Sequence, residues 1–347
     1  MAIRTIVVCE AQVPFVEGGA ELHVRSLVAQ LRGRGYDVER VALPFKWYPK
    51  AEILAHAAAW RLLDLSESNG RPIDLVIGTK FPSYYARHPN KVAWLIHQYR
   101  AAYELCGTEY SDFDHLEGDL ALRERLLELD TAMLGECVRL YANAANTAGR
   151  LRTFNGLEAR PLYHPPHLAP RLEGGPYGDY VLAVGRLETV KRAHLAIEAM
   201  ALVDRPLELV LAGDGTQRSN LEALAGRLGV ADRVRFLGAV DDDTLVGLYA
   251  GALAVLYVPF DEDFGYVTLE AFLARKPIVT TTDAGGPLEF VADGVNGTVA
   301  APAAAAVADA VNRYGSDRAR ARAHGEAGFE RARLVTWDGV IETLVGA

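Results

Sequence analysis

Two glutamates, Glu262 and Glu270, are separated by seven residues in the segment DEDFGYVTLEAFLARKPIVTT, and Gly265 lies between them. The residues after Gly265 predict a helix that begins near Tyr266. A helix start offers backbone N–H groups and the positive end of the helix dipole, which suits a phosphate. Glu270, about one turn into that helix, could accept hydrogen bonds from two neighbouring hydroxyls such as those of a ribose. Glu262 would then reach another part of the same ligand. Taken alone, the pattern fits two solvated surface glutamates equally well.

Short apolar runs alternate with helical patterns along the chain and would position these residues. In the first half, strands are predicted at TIVVCE, DVERVAL, IDLVIG, KVAWLIH and RLYANAA, and the amphipathic helix AELHVRSLVAQLRGRG ends on Gly35. The segment RPLYHPPHLAP interrupts the alternation, because Pro165 and Pro166 disfavour helix. Strands follow again at YVLAVG, LELVLAG, VRFLG, ALAVLYV and KPIVTT. This order predicts an α/β protein with two Rossmann-like parallel-sheet domains.

The predicted domains are residues 1–164 on the N-terminal side and residues 165–325 on the C-terminal side. Residues 326–347 are expected to form a helix that crosses back to the N-terminal domain. Ligands of open parallel sheets bind beyond the carboxyl ends of the strands. Two such domains facing each other would therefore line a cleft with both sets of strand ends.

Charge and hydropathy exclude several classes of protein. The net charge of −9 argues against a nucleic-acid binder, which needs a basic surface. The first 164 residues carry 20 acidic and 19 basic residues, so a weak attraction of this half to a membrane surface stays open. The N-terminus leads directly into the strand IRTIVV without an apolar signal core, and no apolar stretch approaches the length of a membrane span. We therefore expect a cytoplasmic protein.

In combination, the motifs resemble those of the retaining glycosyltransferases of family four, which have the GT-B fold. Glu262 and Glu270 match the family's E-x7-E motif. The run VGRLETVKRAHLAIEAM is similar to a strand–loop–helix in which an arginine and a later lysine hold the donor diphosphate, which would be Arg186 and Lys191. Two cations beside a departing diphosphate stabilise charge that grows in the transition state. An ordinary exposed pair of cations is the alternative.

The resemblance covers nearly the whole chain and implies further contacts with a donor. VEGGAELHV resembles the family's first glycine loop, in which Gly18 and Gly19 would let the backbone approach the donor phosphates. His97 corresponds to a histidine that points at the donor sugar. A plain helix-entry turn and a core histidine are the respective alternatives. The backbone at Ala239 and Val240 would hold the nucleobase.

The resemblance assigns catalytic roles and donor binding to two groups of residues. The catalytic group is Arg186, Lys191, Glu262 and His97. The donor-binding group contains Gly18 and Gly19 of the glycine loop, Ala239 and Val240 of the nucleobase segment, and Phe264, Gly265, Tyr266, Val267 and Glu270.

Two features depart from the family pattern. Arg192 follows Lys191 where many relatives carry glycine, and the stretch from Gln98 to Glu128 matches nothing in the family. The second departure leaves the acceptor open.

A metal is not expected, although Asp261 and Asp263 form the D-x-D that binds a divalent metal in the other major glycosyltransferase fold. In this chain the D-x-D lies inside the E-x7-E loop, and the arginine–lysine pair already supplies positive charge. A dehydrogenase is disfavoured because EAQVPFVEGGAE follows the first strand instead of a G-x-G-x-x-G loop.

The resemblance therefore implies a metal-independent hexosyltransferase without a cofactor. Its donor would be a nucleotide diphosphate sugar, with UDP- and GDP-sugars as the leading candidates, and transfer would retain the anomeric configuration. The acceptor would be a sugar, a lipid-linked compound or a small molecule in glycan, glycolipid or secondary-metabolite glycoside synthesis. The alternatives are another GT-B enzyme, namely a sugar-nucleotide epimerase or phosphorylase, and a non-catalytic nucleotide-sugar-binding subunit.

Overall fold

Two separate six-stranded parallel sheets organise the computed structural model, which describes residues 3–16 and 18–346. They belong to two units of the chain. The first unit falls within Met1–His164 and Trp337–Ala347, and the second is Pro165–Thr336. The first boundary between the two units thus lies directly before Pro165 and Pro166, whose fixed backbone cannot continue a helix.

The first unit contains a sheet with the strand order β2-β1-β5-β6-β7-β8 and a small antiparallel pair, β3 with β4. Its strands are β1 (Thr5–Gln12), β2 (Asp37–Pro44), β3 (Glu67–Ser68), β4 (Arg71–Pro72), β5 (Leu75–Gly78), β6 (Lys91–Leu95), β7 (Arg139–Ala142) and β8 (Arg160–Pro161). Its helices are α1 (Gly19–Gly33), α2 (Glu52–Leu62), α3 (Glu117–Gly135), α4 (Ala145–Asn155) and α11 (Trp337–Val345).

The second unit contains a sheet with the strand order β11-β10-β9-β12-β13-β14. Its strands are β9 (Tyr180–Val184), β10 (Glu208–Ala212), β11 (Val234–Gly238), β12 (Ala254–Leu256), β13 (Ile278–Thr281) and β14 (Gly297–Ala300). Its helices are α5 (Ala193–Met200), α6 (Arg218–Arg227), α7 (Asp242–Gly251), α8 (Tyr266–Leu273), α9 (Ala304–Ser316) and α10 (Arg318–Ala332).

The α/β fold class with two parallel-sheet units is confirmed. The apolar runs form strands because helices cover both faces of a parallel sheet, so that nearly every side chain of strands such as β1 and β10 is buried. Four short strands that the structure describes, β3, β4, β8 and β14, were not predicted from the sequence. Within the described ranges, no helix combines the length and the apolar composition that a membrane span requires.

The sequence predicted that the chain returns to the first unit from position 326, but in the structure it returns at Trp337. Helix α10 stays in the second unit because its glycines lie against α8 and the residues that follow it. A Cβ atom on Gly328 would come within 2.2 Å of the Phe272 ring, and one on Gly325 within 2.0 Å of the Arg275 carbonyl. Helix α11 joins the first unit, where Tyr141 donates its hydroxyl to the Thr343 carbonyl at 3.2 Å.

A buried carboxylate ties three segments of the first unit together. Asp130 on α3 is fully buried and accepts hydrogen bonds from the hydroxyls of Tyr84 and Tyr85, both at 2.8 Å, and of Tyr103 at 2.5 Å. The two neighbouring tyrosines follow β5, and Tyr103 follows β6. Burial raises the pKa of Asp130 to about 6, although the three hydroxyls act in the opposite direction.

The raised pKa of Asp130 predicts an unusual dependence of stability on pH. A carboxyl group that binds its proton more tightly when folded stabilises the protein below its unfolded pKa of 3.8, and this contribution is lost as the pH rises through about 6. We therefore expect Asp130→Asn to be most destabilising near pH 4. Its cost relative to wild type should shrink by about 3 kcal/mol towards pH 7. Urea unfolding across this pH range measures the difference.

Asp119→Asn, on the same helix, is the matched control with the opposite sign. Hydrogen bonds from the Lys50 ammonium and the Asp114 backbone, which outweigh desolvation, hold the pKa of the Asp119 carboxyl below its usual value. Its contribution should therefore be present at neutral pH and disappear as the pH falls. A cost of Asp130→Asn that does not vary with pH would contradict the assignment of the raised pKa.

Candidate functional site

Three neighbouring strand ends of the second sheet approach one another through glycine. The N–H of Gly213, after β10, donates to the Gly238 carbonyl at the end of β11 at 2.8 Å. A Cβ atom on Gly213 would lie 2.0 Å from the carbonyl oxygen of Gly185, which follows β9. Gly213 also has φ +139°, a conformation that other residues rarely adopt. Glycine is therefore required for the three backbones to meet at this edge.

This edge carries Arg186 and the predicted nucleobase segment. Arg186 directly follows Gly185 and is exposed. Ala239 is exposed and Val240 partly buried, just after β11. The adjacent GDG turn is held by its own aspartate, since Asp214 accepts a hydrogen bond from the Gly215 N–H at 2.8 Å. Asp214 also pairs with Arg218 at the start of α6 at 3.3 Å, so its described side-chain contacts hold the turn and the helix that follows it.

Lys191 and Glu262, predicted as catalytic residues, are in direct contact. The Lys191 ammonium, at the end of a short 3-10 turn, pairs with Oε2 of Glu262. Their side chains are 20% and 13% exposed, so this pair is largely removed from water and is not an ordinary surface ion pair. The buried Tyr257 hydroxyl also hydrogen-bonds to Glu262. Burial, and then the negative charge of Glu262, raise the pKa of Tyr257 well above its usual value.

The backbone around Glu262 is held as firmly as its side chain. Its N–H donates to the Ala284 carbonyl at 2.8 Å, and its carbonyl accepts from the Gly286 N–H at 2.8 Å. These bonds join the segment that follows β12 to the segment that follows β13. Gly286 cannot carry a side chain, because a Cβ atom would lie 2.3 Å from the Asp263 carbonyl.

Helix α8 begins at Tyr266, directly after Gly265. Gly265 has φ +80°, and a Cβ atom there would come within 2.9 Å of the Pro287 ring and 3.0 Å of the Tyr257 ring. Both the conformation and the space therefore demand glycine, which brings no side chain that could cap the helix. The positive end of the α8 dipole follows the ion pair of Glu262 by only four residues in the sequence.

The apolar residues on either side of Gly265 anchor the start of α8 in the core. Phe264 and Val267 are buried, and the Phe264 ring packs edge-on against Phe290, with ring centroids 5.9 Å apart. The Tyr266 ring packs against Phe264 at 5.3 Å. The start of α8 is therefore fixed by packing as well as by its backbone.

Glu270 lies inside α8 and is only 5% exposed. Its Oε2 accepts a hydrogen bond from the Tyr249 hydroxyl at 2.7 Å. Burial raises the pKa of Glu270, and the hydrogen bond from Tyr249 partly offsets that effect. With Glu262 also largely buried, the alternative of two solvated surface glutamates is wrong.

The remaining predicted site residues, Gly18, Gly19 and His97, belong to the first unit. Helix α1 begins at Gly19, and the Gly18 carbonyl accepts the Leu22 N–H at 3.1 Å. His97 follows β6 and is partly buried, and its Nδ1 lies 2.7 Å from the Gln98 carbonyl. Since a carbonyl can only accept, Nδ1 carries a proton. The roles of these three residues stay predictions.

One structurally central residue was noticed in the sequence only as a departure from the family pattern. Arg192 is 6% exposed, has φ +52° and pairs with Asp283. A non-glycine residue in this left-handed conformation is strained and persists where the surrounding contacts hold it in place.

The D-x-D aspartates do not form part of a metal-ligating group among the described residues. Across residues 3–16 and 18–346, no three His, Cys, Asp or Glu side chains lie close enough together to hold a metal ion. Asp263 is 9% exposed, and the N–H of Asp261 donates to the Asp283 carbonyl at 2.8 Å.

Removing the Tyr249 hydroxyl tests the environment of Glu270. Tyr249→Phe should lower the free energy of unfolding by about 1–3 kcal/mol, because a buried carboxylate loses a hydrogen-bond donor. The control is Tyr180→Phe, which removes a 2.6 Å hydrogen bond to the Leu248 carbonyl from a partly exposed tyrosine. Its cost should be smaller, since water can replace the lost donor. Equal costs at pH 7 in urea unfolding would show that Glu270 does not depend on Tyr249.

Comparison with known families gives a match in the second unit. The family model for glycosyl transferases group 1 matches residues 176–331. This range includes Arg186, Lys191, Glu262 and Glu270, whereas the glycine loop and His97 lie outside it.

Curated relatives match over parts of their length. A D-inositol 3-phosphate glycosyltransferase of Geodermatophilus obscurus is 32% identical over 246 residues, which are 62% of this chain and 53% of that protein. A glycogen synthase of Mycobacterium tuberculosis is 36% identical over 212 residues, 60% of this chain and 49% of that protein. An uncharacterized glycosyltransferase of Methanocaldococcus jannaschii is 42% identical over 119 residues, 34% of this chain and 30% of that protein. The chain thus spans between about a third and a half of these relatives.

Solved structures match over almost the whole chain. The sucrose-phosphate synthase of Thermosynechococcus elongatus aligns with a TM-score of 0.74 and 20% identity, covering 98% of this chain and 97% of that one. Anabaena HepE in complex with UDP and glucose aligns with a TM-score of 0.73 and 19% identity, covering 98% and 100%. At this level of identity the likeness establishes the fold, which is that of the GT-B glycosyltransferases.

Proposed function

We propose that this chain, whose residues 176–331 belong to the glycosyl transferases group 1 family, is a glycosyltransferase that uses a nucleotide diphosphate sugar. The observation that carries the proposal is the largely buried ion pair of Lys191 with Glu262, which itself lies four residues before the uncapped start of α8. This arrangement brings a cation from the turn before α5 to a carboxylate that is followed by a helix start, and these are groups that a sugar diphosphate can use.

The leaving diphosphate is the group for which these charges are suited. When the bond between the anomeric carbon and the diphosphate breaks, negative charge accumulates on the phosphate oxygens. Arg186 and Lys191 would stabilise that charge together with the backbone N–H groups near Tyr266. Arg186 is exposed and can turn towards a ligand, whereas Lys191 would exchange part of its contact with Glu262 for the diphosphate.

The two glutamates are proposed to bind hydroxyls. Glu262 would accept hydrogen bonds from the sugar, and Glu270 from the ribose. One oxygen of Glu270 is already bonded to Tyr249, which fixes the direction of the other. In the first unit, Gly18 and Gly19 are proposed as diphosphate contacts and His97 as a sugar contact, on the strength of the resemblance.

The finer assignment is a retaining transfer from a UDP-sugar. In this scheme the acceptor oxygen attacks the anomeric carbon from the face that the diphosphate leaves, and a donor phosphate oxygen takes the acceptor proton. No protein side chain is then needed as a strong base. The Anabaena HepE structures in complex with UDP, and with UDP-glucose, support a uridine nucleotide as the first donor to test.

Release of UDP from UDP-glucose, with and without a pooled acceptor extract, tests the proposal. Acceptor-dependent release is expected of a transferase, whereas a binding subunit releases none and an epimerase acts without acceptor. Arg186→Ala and Lys191→Ala should each lower turnover on the order of a hundredfold, as when a stabiliser of transition-state charge is removed.

Arg235→Ala is the matched control for these variants. Arg235 is a half-exposed arginine on β11 that pairs with Glu208 at 3.3 Å, away from the E-x7-E loop in the sequence. Its replacement should leave turnover unchanged. Turnover close to wild type in both the Arg186 and the Lys191 variants would overturn the proposed roles.

We further propose that the transfer needs no metal, because Arg186, Lys191 and the α8 dipole supply the positive charge. Turnover should persist after dialysis against a chelator. A complete loss that Mg²⁺ or Mn²⁺ restores would instead assign metal binding to Asp261 and Asp263.

A further inference from the structure

Arg192 occupies a strained backbone position in the second unit. It stands between the 3-10 turn Thr189–Lys191 and helix α5, with φ +52° and ψ +39°. This left-handed conformation is natural for glycine and unfavourable for arginine. The long, charged side chain is nevertheless almost entirely buried.

The buried guanidinium contacts two separate segments. Its Nε donates to the Val258 carbonyl and its Nη2 to the Pro259 carbonyl, both at 2.8 Å. On the other side it forms a two-pronged ion pair with Asp283, at 2.7 and 2.8 Å, and contacts the Thr281 hydroxyl at 2.9 Å. Arg192 therefore joins the chain after β12 to the chain after β13.

The electrostatics of Asp283 agree with this role. Burial alone would raise the pKa of its carboxyl group, but hydrogen bonds from Arg192 and Thr281 outweigh burial and hold the pKa below its usual value. The carboxylate is thus kept charged by the guanidinium, and a charged pair of this geometry is more directional than a single ammonium contact.

The two segments joined by Arg192 are those that hold Glu262. Pro259 lies three residues before Glu262, and the Asp283 carbonyl accepts the Asp261 N–H at 2.8 Å. The N–H of Phe260 donates to the Val190 carbonyl at 2.8 Å, which also links this loop to the turn that carries Lys191. A shift of either segment would change the position of Glu262 relative to Lys191.

We infer that Arg192 is a positioning residue for the Lys191–Glu262 pair, and that it fixes the loop of Glu262 before the donor binds. The effect of Arg192 on catalysis, which is part of this inference, rests on the proposed function. Arg192 itself acts through Val258, Pro259 and Asp283.

Arg192→Gly separates the contribution of the Arg192 side chain from that of the left-handed backbone conformation. Glycine adopts the left-handed conformation without strain, so the turn is preserved while all contacts of the guanidinium are lost. With UDP-glucose as the probe, we expect kcat/KM to fall on the order of tenfold to a hundredfold, with a higher donor KM and a lower kcat, because small misplacements of charged groups are costly. Arg192→Lys, which keeps the charge but not the two-pronged geometry, should be intermediate.

Arg233→Gly is the control for the loss of a guanidinium that binds backbone carbonyls. Arg233 donates to the carbonyls of Leu207, Val203 and Arg205 at 2.9–3.2 Å, and none of its described hydrogen bonds goes to the loop of Glu262. It should lower the melting temperature while leaving kcat/KM unchanged. If Arg233→Gly lowered kcat/KM as much as Arg192→Gly does, the effect of Arg192→Gly would be explained by general destabilisation of the protein.

Hydrogen exchange provides a readout that does not require transfer. The amides of Asp261 and Glu262 should exchange faster in Arg192→Gly than in wild type and in Arg233→Gly. If the wild type transfers no sugar but these amides are deprotected as expected, the proposed function fails and the positioning role stands. If exchange at these amides or kcat/KM of an active enzyme is unchanged in Arg192→Gly, the positioning role is overturned.

Discussion

The candidate site depends on a short backbone ladder between the segments that follow β12 and β13. The N–H groups of Asp261, Glu262 and Gly286 bond to the carbonyls of Asp283, Ala284 and Glu262, respectively, all at 2.8 Å. Backbone groups that are removed from water must find such partners, so the ladder fixes the direction in which Glu262 leaves the chain. The left-handed Gly265 and the start of α8 come next along the chain after this ladder.

The two glutamates of the E-x7-E motif occupy different environments despite their regular spacing. Glu262 lies on the ladder and is compensated by the Lys191 ammonium, so its charge is stabilised where it stands. Glu270 lies within α8, where burial raises its pKa and the neutral Tyr249 hydroxyl partly offsets that effect. A buried carboxylate that is bonded by a neutral donor retains much of its desolvation cost, which a ligand with hydroxyl donors can relieve. This contrast supports separate ligand groups for the two residues.

The sequence predicted those features that depend on local pattern. Runs such as YVLAVG and VRFLG form strands because a buried parallel strand needs only apolar residues in succession. Gly265 marked the start of α8 because few residues other than glycine adopt the left-handed conformation that precedes this helix. Strand β14 (Gly297–Ala300) was missed because four residues after a turn carry too little pattern.

Long-range side-chain contacts could not be predicted in the same way. The convergence of three tyrosine hydroxyls on Asp130 joins residues that are 27 to 46 positions apart. No periodicity in the sequence reports which hydroxyl meets which carboxylate, since that depends on the packing of α3 against the loops after β5 and β6. The pairing of Arg192 with Asp283, 91 positions apart, is hidden for the same reason.

Arginine at position 192 changes the energetic balance of a turn where the family pattern has glycine. The left-handed backbone costs an arginine about 1–2 kcal/mol. A hydrogen bond that involves a charged group contributes about 1.5–3 kcal/mol, and the guanidinium has four acceptor groups within 2.9 Å. The contacts can therefore offset both the strain and part of the cost of burying the charge. A glycine would relax this turn and remove the contacts of the guanidinium, whereas the arginine adds a side-chain link between the Lys191 turn and the two segments that hold Glu262.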